Sequence, residues 1–319
     1  MTDAAMPAEP SSDIDREDFE FDSHGTTCRA WFYAAQHEGR MDGRGVPCIV
    51  MAHGLGGTRD AGLAPYAAAF AEAGFAVLLF DYRYFGASDG QPRQLLKVSA
   101  QQADWRAAIK AARAVDGVDA ERIALWGTSF SGGHVVAAAA ADSRIAAVVS
   151  QGPMLDGLAS VLEVLKQNGL WHVAKLTFAA LRDQLADLAG AAPYRIPLVG
   201  RPGELAAMNT PDAREGYLAI APDGFDNRMT ARMVATLALY RPGRKLGKIH
   251  CPVLVQICDD DSVAPAAASE AMVEHGDDNI IERHYHLGHF DIYRGAGFRR
   301  ANADQLDFYK RALARRLDV

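Results

Sequence analysis

The sequence predicts an α/β fold, and three observations carry that expectation. Short apolar runs alternate with stretches of helical periodicity along most of the chain. The stretch Arg122–Val136, R-I-A-L-W-G-T-S-F-S-G-G-H-V-V, reads as a strand, a sharp turn and a buried helix. The alternation stops between Gly152 and Gly247 and then resumes, as an insertion into a regular domain would make it. At 319 residues, 49% of them hydrophobic, the chain can bury the core of one large α/β domain that carries such an insertion. The net charge of −7 and the lack of a dense Lys/Arg run argue against nucleic acid or an anionic membrane as partner.

Residues 1–14 contain neither a basic start nor an apolar segment, so they read as a disordered tail, not a signal peptide. Phe19–Asp22 and Cys28–Ala34 read as strands joined by a turn in which His24 sits. Residues 36–46 are polar and Gly-rich, a surface loop. Cys48–Ala52 is a central strand that runs into His53-Gly54-Leu55-Gly56-Gly57, where glycines let backbone approach a ligand. His53 is expected to orient this loop. Pro65–Ala73 has helical periodicity and Gly74 follows as its cap. Phe75–Phe80 is the next strand, Val98–Ala114 an amphipathic helix, and Ile145–Ser150 the strand after the central turn.

The central turn has a chemical reading. A Ser at the apex between a strand end and a helix start is held clear of the fold, and such a turn needs small neighbours on both sides. Gly127 meets that need, and Ser131 meets it less well because it adds a Cβ. The helix start aims backbone N–H groups at the site, with Phe130 N–H as a donor to a developing oxyanion. Alone, G-T-S-F-S is also an ordinary Gly/Ser turn.

Three motifs in order, H-G-L-G-G, F-D-Y-R-Y-F-G-A-S-D-G and G-T-S-F-S-G-G, resemble the α/β-hydrolase superfamily. The chain looks closest to its dienelactone-hydrolase-like and X-Pro-dipeptidyl-peptidase-like (S15-type) members. The resemblance implies a mostly parallel twisted sheet with helices on both faces and an inserted helical lid. The expected boundaries are a core over 15–152, a lid over 153–247 and the rest of the core over 248–319. Within the lid, Leu158–Leu165 and Val173–Leu188 read as helices. Trp171, Phe178, Tyr194, Tyr217, Phe225 and Met229 are apolar residues that line a pocket or hold the lid together, and His172 is expected to pack.

The resemblance also implies roles. Ser129 is the nucleophile, and the residue after His-Gly, Leu55, gives the second oxyanion N–H beside Phe130. The acid belongs in the loop after the strand Ile249–Ile257, where Asp261 fits best and Asp259 and Asp260 are loop charges. Some members place the acid one strand earlier, where Asp156 lies. G-H-F-D-I-Y, after the last strand Ile280–Tyr285, offers His289 as the base, with His286 its rival. Ala301–Leu317 closes the fold as a helix.

The chemistry explains why these residue types belong together. A neutral Ser hydroxyl needs an imidazole to take its proton, and a carboxylate fixes that imidazole's tautomer and steadies its charge. The expected activity is cleavage of a carboxylic ester, lactone or thioester. Alternatives are an amidase or peptidase, an acyl transferase, or a binding protein on the same scaffold. The expected partner is a small acyl substrate, with no nucleic acid and no membrane, and family habit allows a homodimer. No cofactor is expected, and no metal, since three consecutive Asp cannot all face one ion. Cys28, Cys48, Cys251 and Cys258 have no metal-like spacing and read as free thiols, which fits a cytoplasmic protein.

Overall fold

The computed structural model describes residues 15–36 and 45–314. The expected tail at 1–14 and most of the expected loop at 36–46 lie outside these residues. The chain opens with β1 (Glu17–Ser23) and β2 (Thr26–Tyr33), an antiparallel pair joined through His24 and Gly25, both at positive φ. There follow β3 (Val46–Ala52), α1 (Ala64–Glu72), β4 (Ala76–Phe80), α2 (Val98–Ala112), β5 (Val118–Thr128), α3 (Phe130–Ala139) and β6 (Ile145–Gln151). The next segment carries α4 (Gly157–Leu188), the small strands β7 (Arg195–Ile196) and β8 (Met229–Thr230), α5 (Ala213–Leu218) and α6 (Val234–Leu237). The core resumes with β9 (Val253–Cys258), α7 (Ala266–Val273), β10 (Ile280–Tyr285) and α8 (Gly295–Ala312).

Eight strands form one sheet in the order β1-β2-β4-β3-β5-β6-β9-β10, parallel from β4 to β10. The central strands are buried on both faces, which is why they read as unbroken apolar runs and not as alternating ones. Their side chains still alternate between two cores. Cys48, Val50 and Ala52 join Trp105 and Ile109 of α2 and Val135 of α3. Ile49 and Met51 join Tyr66 and Phe70 of α1 and Phe308 and Tyr309 of α8 on the other face. This is a doubly covered sheet, with connections that return each parallel strand to the same end.

Several elements differ from their sequence readings, among them β9, which starts at Val253 and not at Ile249, and β5, which starts as early as Val118. α8 starts at Gly295, six residues before Ala301, because Gly295 and Gly297 hide the start of an amphipathic run. α4 spans both helices read in the lid. Gly169 alone, at φ 78° and ψ 169°, breaks its backbone geometry. The second half of α4 is tied inward by Asp183, which is fully buried and takes two hydrogen bonds from the Arg232 guanidinium and one from Tyr194 N–H.

Candidate active site

The C-terminal ends of β3, β5, β6 and β9 bring the chemical groups together. β5 ends at Thr128, and Ser129 takes φ 56° and ψ −121°, a strained backbone for a residue with a side chain. The strain is over-determined. Ser129 N–H donates to Gln151 O at 2.9 Å, and Ser129 O accepts from Gly132 N–H and Met154 N–H at 3.0 and 2.9 Å. A Cβ at Gly127 would lie 2.3 Å from the Ser131 carbonyl oxygen, so only glycine allows the turn to close. Ser131 is fully buried, and its hydroxyl pairs with Tyr82 Oη at 2.9 Å. Tyr82 Oη in turn accepts from Trp105 Nε1 at 2.8 Å. The second serine of the turn is thus taken up in the core beneath the elbow.

His289, from the loop after β10, reaches Ser129. Its Nε2 lies 3.0 Å from Ser129 Oγ and its Nδ1 2.6 Å from Asp261 Oδ2. Ser129, His289 and Asp261 are all nearly enclosed, with side-chain exposure of 3% for His289 and 1% for Asp261. Burial works against a charged imidazolium. The Asp261 carboxylate outweighs that through charge and hydrogen bond, and Asp212 adds to it, so His289 has a pKa above the ordinary 6.5. The other Asp261 oxygen accepts Val263 N–H and Ala264 N–H at 2.8 and 2.6 Å, which fixes the carboxylate from behind.

The remaining candidates separate from this relay. Asp156 begins α4, accepts from Leu158 and Ala159 N–H, and pairs with the Arg241 guanidinium at 2.9 and 2.5 Å. His286 is exposed and pairs with Asp259 at 2.7 Å, and Asp259 also holds His284 at 2.7 Å. His53 is buried, and burial lowers its pKa to about 4, so it is neutral at pH 7. Its 3.9 Å approach to Asp81 is therefore not an ion pair. His53 Nδ1 sits 3.0 Å from Gly54 O, within its own loop. His172 is buried in the insertion.

The loop after β3 lies against the serine. A Cβ at Gly54 would sit 3.0 Å from Ser129 Cβ and 3.5 Å from Ser129 Oγ, so Leu55 begins beside the hydroxyl. Phe130 is the first residue of α3, where N–H groups have no partner within the helix. Leu55, Ser129 and Phe130 line one cleft together with Met154, Val164 and Val263; it spans about 660 Å³, counting the part open to solvent. A smaller cleft, about 370 Å³ counted the same way, also reaches Ser129 and is walled by Tyr217, Ile220 and His289. The first half of α4 walls the larger cleft through Ser160, Glu163, Val164 and Gln167.

Asp212 is a site neighbour that the sequence did not give away, and Tyr217, read there as a pocket or lid residue, has partners that it did not give away. Tyr217, on α5, donates its hydroxyl to Leu55 O at 3.1 Å. Its ring also meets Phe290, whose own ring stands edge-on to His289 at 4.9 Å. Asp212, just before α5, accepts from Thr210 at 2.9 Å and from Ser262, the neighbour of Asp261. One short helix of the insertion therefore touches the loops that carry Leu55, Asp261 and His289. An apolar residue in a stretch without period carries no local mark of such a contact. The four thiols are raised by burial, Cys48 and Cys251 to about 12, so they are inert at neutral pH.

With this geometry in view, a family model described as alpha/beta hydrolase fold matches residues 47–293. The chain belongs to the α/β-hydrolase fold family. This α/β hydrolase is 46% identical over 296 residues to the quorum-quenching protein AidA of Acinetobacter baumannii strain MDR-ZJ06, covering 92% of this chain and 94% of the relative. It is 29% identical to the polyketide transferase af380 of Aspergillus fumigatus, over 94% and 99% of the two chains. The crystal structure of the alpha/beta hydrolase GrgF from Penicillium sp. sh18 superposes with a TM-score of 0.78 at 26% identity, covering 95% of this chain and all of that one. The narrower likeness to dienelactone-hydrolase-like and S15-type members is named by none of these three. Among the described residues, no helix of this hydrolase is long and apolar enough to cross a membrane.

Proposed function

We propose that the protein is a serine hydrolase that cleaves a carboxylic ester, lactone or thioester through an acyl-enzyme on Ser129. The observation that carries this reading is the continuous contact from Asp261 through His289 to Ser129, at 2.6 and 3.0 Å. His289 Nε2 takes the hydroxyl proton as Ser129 Oγ attacks the carbonyl carbon. The tetrahedral oxyanion is held by Leu55 and Phe130 N–H. The imidazolium, steadied by Asp261, then gives its proton to the departing alcohol or thiol as the bond to it breaks. Water, deprotonated by His289, releases the acid in a second passage through the same states.

The two clefts divide the substrate. The larger, mostly apolar one suits an acyl chain, and the smaller one, beside His289, suits the leaving group that must be protonated there. A lactone would span both, since its acyl and alkoxy parts are one molecule. A second reading, acyl transfer, draws on the relative named as a polyketide transferase. It uses the same acyl-enzyme with an alcohol or amine in place of water, and the enclosure of Ser129 at 8% exposure favours exclusion of water.

A fluorophosphonate probe tests the reading directly. Wild type is expected to be labelled and Ser129→Ala not. Equal labelling of both would remove the mechanism. A panel of lactones, thioesters and aryl esters of graded acyl length, run with and without an added alcohol, then separates hydrolysis from transfer by the product formed.

A further inference from the structure

The second half of α4 carries an apolar seam that the site does not use. Trp171, Ala174, Phe178, Leu181, Leu185 and Leu188 recur at spacings of three and four, and all six are exposed, so Trp171 and Phe178 do not take the pocket-lining or lid-packing place that the sequence reading gave them. The large ones are 54–77% exposed. The opposite face of the same helix is already packed, through His172, Leu176, Ala179, Ala180 and Asp183. Beside the seam stand Lys175, Thr177, Arg182 and Gln184. A helix face that only needs to meet a core or a lipid surface is broad. A stripe confined to alternating spacings of three and four is the narrow seam by which one helix meets another.

We propose that this seam pairs with its own copy, so that two molecules of the protein associate through antiparallel α4 helices. Area supports it. A whole aromatic side chain offers roughly 150–250 Å² and leucine somewhat less, so these exposed fractions approach the interface of about 800 Å² per partner that a stable dimer uses. That puts the seam at the upper end of the about 300–600 Å² of the largest patch on an ordinary monomer, where such patches are often functional. Shape supports it too. A two-fold axis between Phe178 and Leu181 sets Trp171 against the partner's Leu188, Ala174 against the partner's Leu185 and Phe178 against the partner's Leu181. A large residue meets a smaller one in each layer, as interdigitation requires. The two cations flanking the seam already have aromatic contacts in their own chain. Lys175 Nζ lies 5.8 Å from the Trp171 ring centre, and the Arg182 guanidinium 4.1 Å from that of Tyr194. The seam starts just past Gly169, so the half of α4 that walls the larger cleft stays free of the contact.

Sedimentation velocity on the full chain from low to high micromolar concentration tests this. Wild type is expected to run at twice the chain mass. Phe178→Glu with Leu185→Glu is expected to weaken dimerisation at least 100-fold while the circular dichroism spectrum and melting stay those of a folded chain. If that pair of charges unfolds the chain, Leu185→Gln alone serves, with an expected weakening of about tenfold. A wild type that stays monomeric throughout overturns the proposal. So does a dimer of unchanged affinity in the folded variants. A monomer that instead co-sediments with phosphatidylglycerol–phosphatidylcholine vesicles also overturns it, and gives the seam to a lipid surface.

Discussion

The loops after β6 and β9 end in the same local device, and only one of its two carboxylates is linked to the serine hydroxyl. In each, an Asp turns one carboxylate oxygen back onto the N–H groups two and three residues ahead: Asp156 onto Leu158 and Ala159, Asp261 onto Val263 and Ala264. What differs is the group across from it. Asp156 meets the Arg241 guanidinium, a permanent cation with no proton to give at neutral pH. Asp261 meets the Nδ1 of His289, whose other nitrogen faces Ser129. The lesson is that a capped carboxylate is generic, and its role is set by the titration range of its partner.

The sharpest test of that contrast removes the hydroxyl to which only Asp261 is linked. Ser129→Ala should lower kcat by roughly 10⁶ if the relay acts as a unit. Retention of near wild-type turnover, measured on whichever ester or lactone proves best, would place the chemistry elsewhere. Next come the two acids side by side. Asp261→Asn should cost about 10⁴ in kcat, because the amide favours the wrong imidazole tautomer. Asp156→Asn should leave kcat within about tenfold and instead lower stability by about 1–3 kcal/mol, read as a fall in melting temperature. The reverse pattern would exchange their roles.

The pH dependence separates them further. In the proposed mechanism His289 must be neutral to accept the serine proton, and its pKa is raised, so kcat/KM should climb with pH along an acid limb lying above 6.5. In Asp261→Asn that limb should move down. Burial tends to raise the Asp156 pKa, but the Arg241 hydrogen bond, the capped N–H groups and the Arg241 charge hold it below 3.8. Its stabilising effect is therefore present above its unfolded value and lost as pH falls through the lower folded one, so acid melts should show it below about pH 4. A smaller effect belongs to the insertion. Tyr217→Phe removes the hydroxyl that holds Leu55 O but no oxyanion donor, so kcat should fall about tenfold, less than the 10²–10³ of a lost donor. A change in KM alone would show that the tyrosine only contacts substrate.

Much of this arrangement could be read in the chain. Buried parallel strands announce themselves as unbroken apolar runs, and the Gly-flanked Ser129 follows one of them. His-Gly at 53–54, Asp261 and His289 sit at strand ends, where short sequence motifs have local meaning. What stayed hidden depends on distance along the chain. Tyr217 meets a loop 162 residues away. Ser131 finds Tyr82 across the core, and the choice between Asp156 and Asp261 rests on which loop faces His289. Neither propensity nor period records such meetings. The Gly169 break was legible only as two helices with a gap, since a single glycine does not say whether the chain bends or stops.

The placement of α5 has a consequence for exchange between relatives. A different insertion grafted onto this sheet to change which acyl group is accepted would bring its own cleft walls. It would also discard Tyr217, Asp212 and the ring contact to Phe290 in one step. Such a chimera should bind its new compound yet turn it over poorly, until that one turn of helix is restored. On the proposed function, selectivity in this scaffold is therefore not freely modular, because the segment that walls the clefts also holds the loops of Leu55, Asp261 and His289.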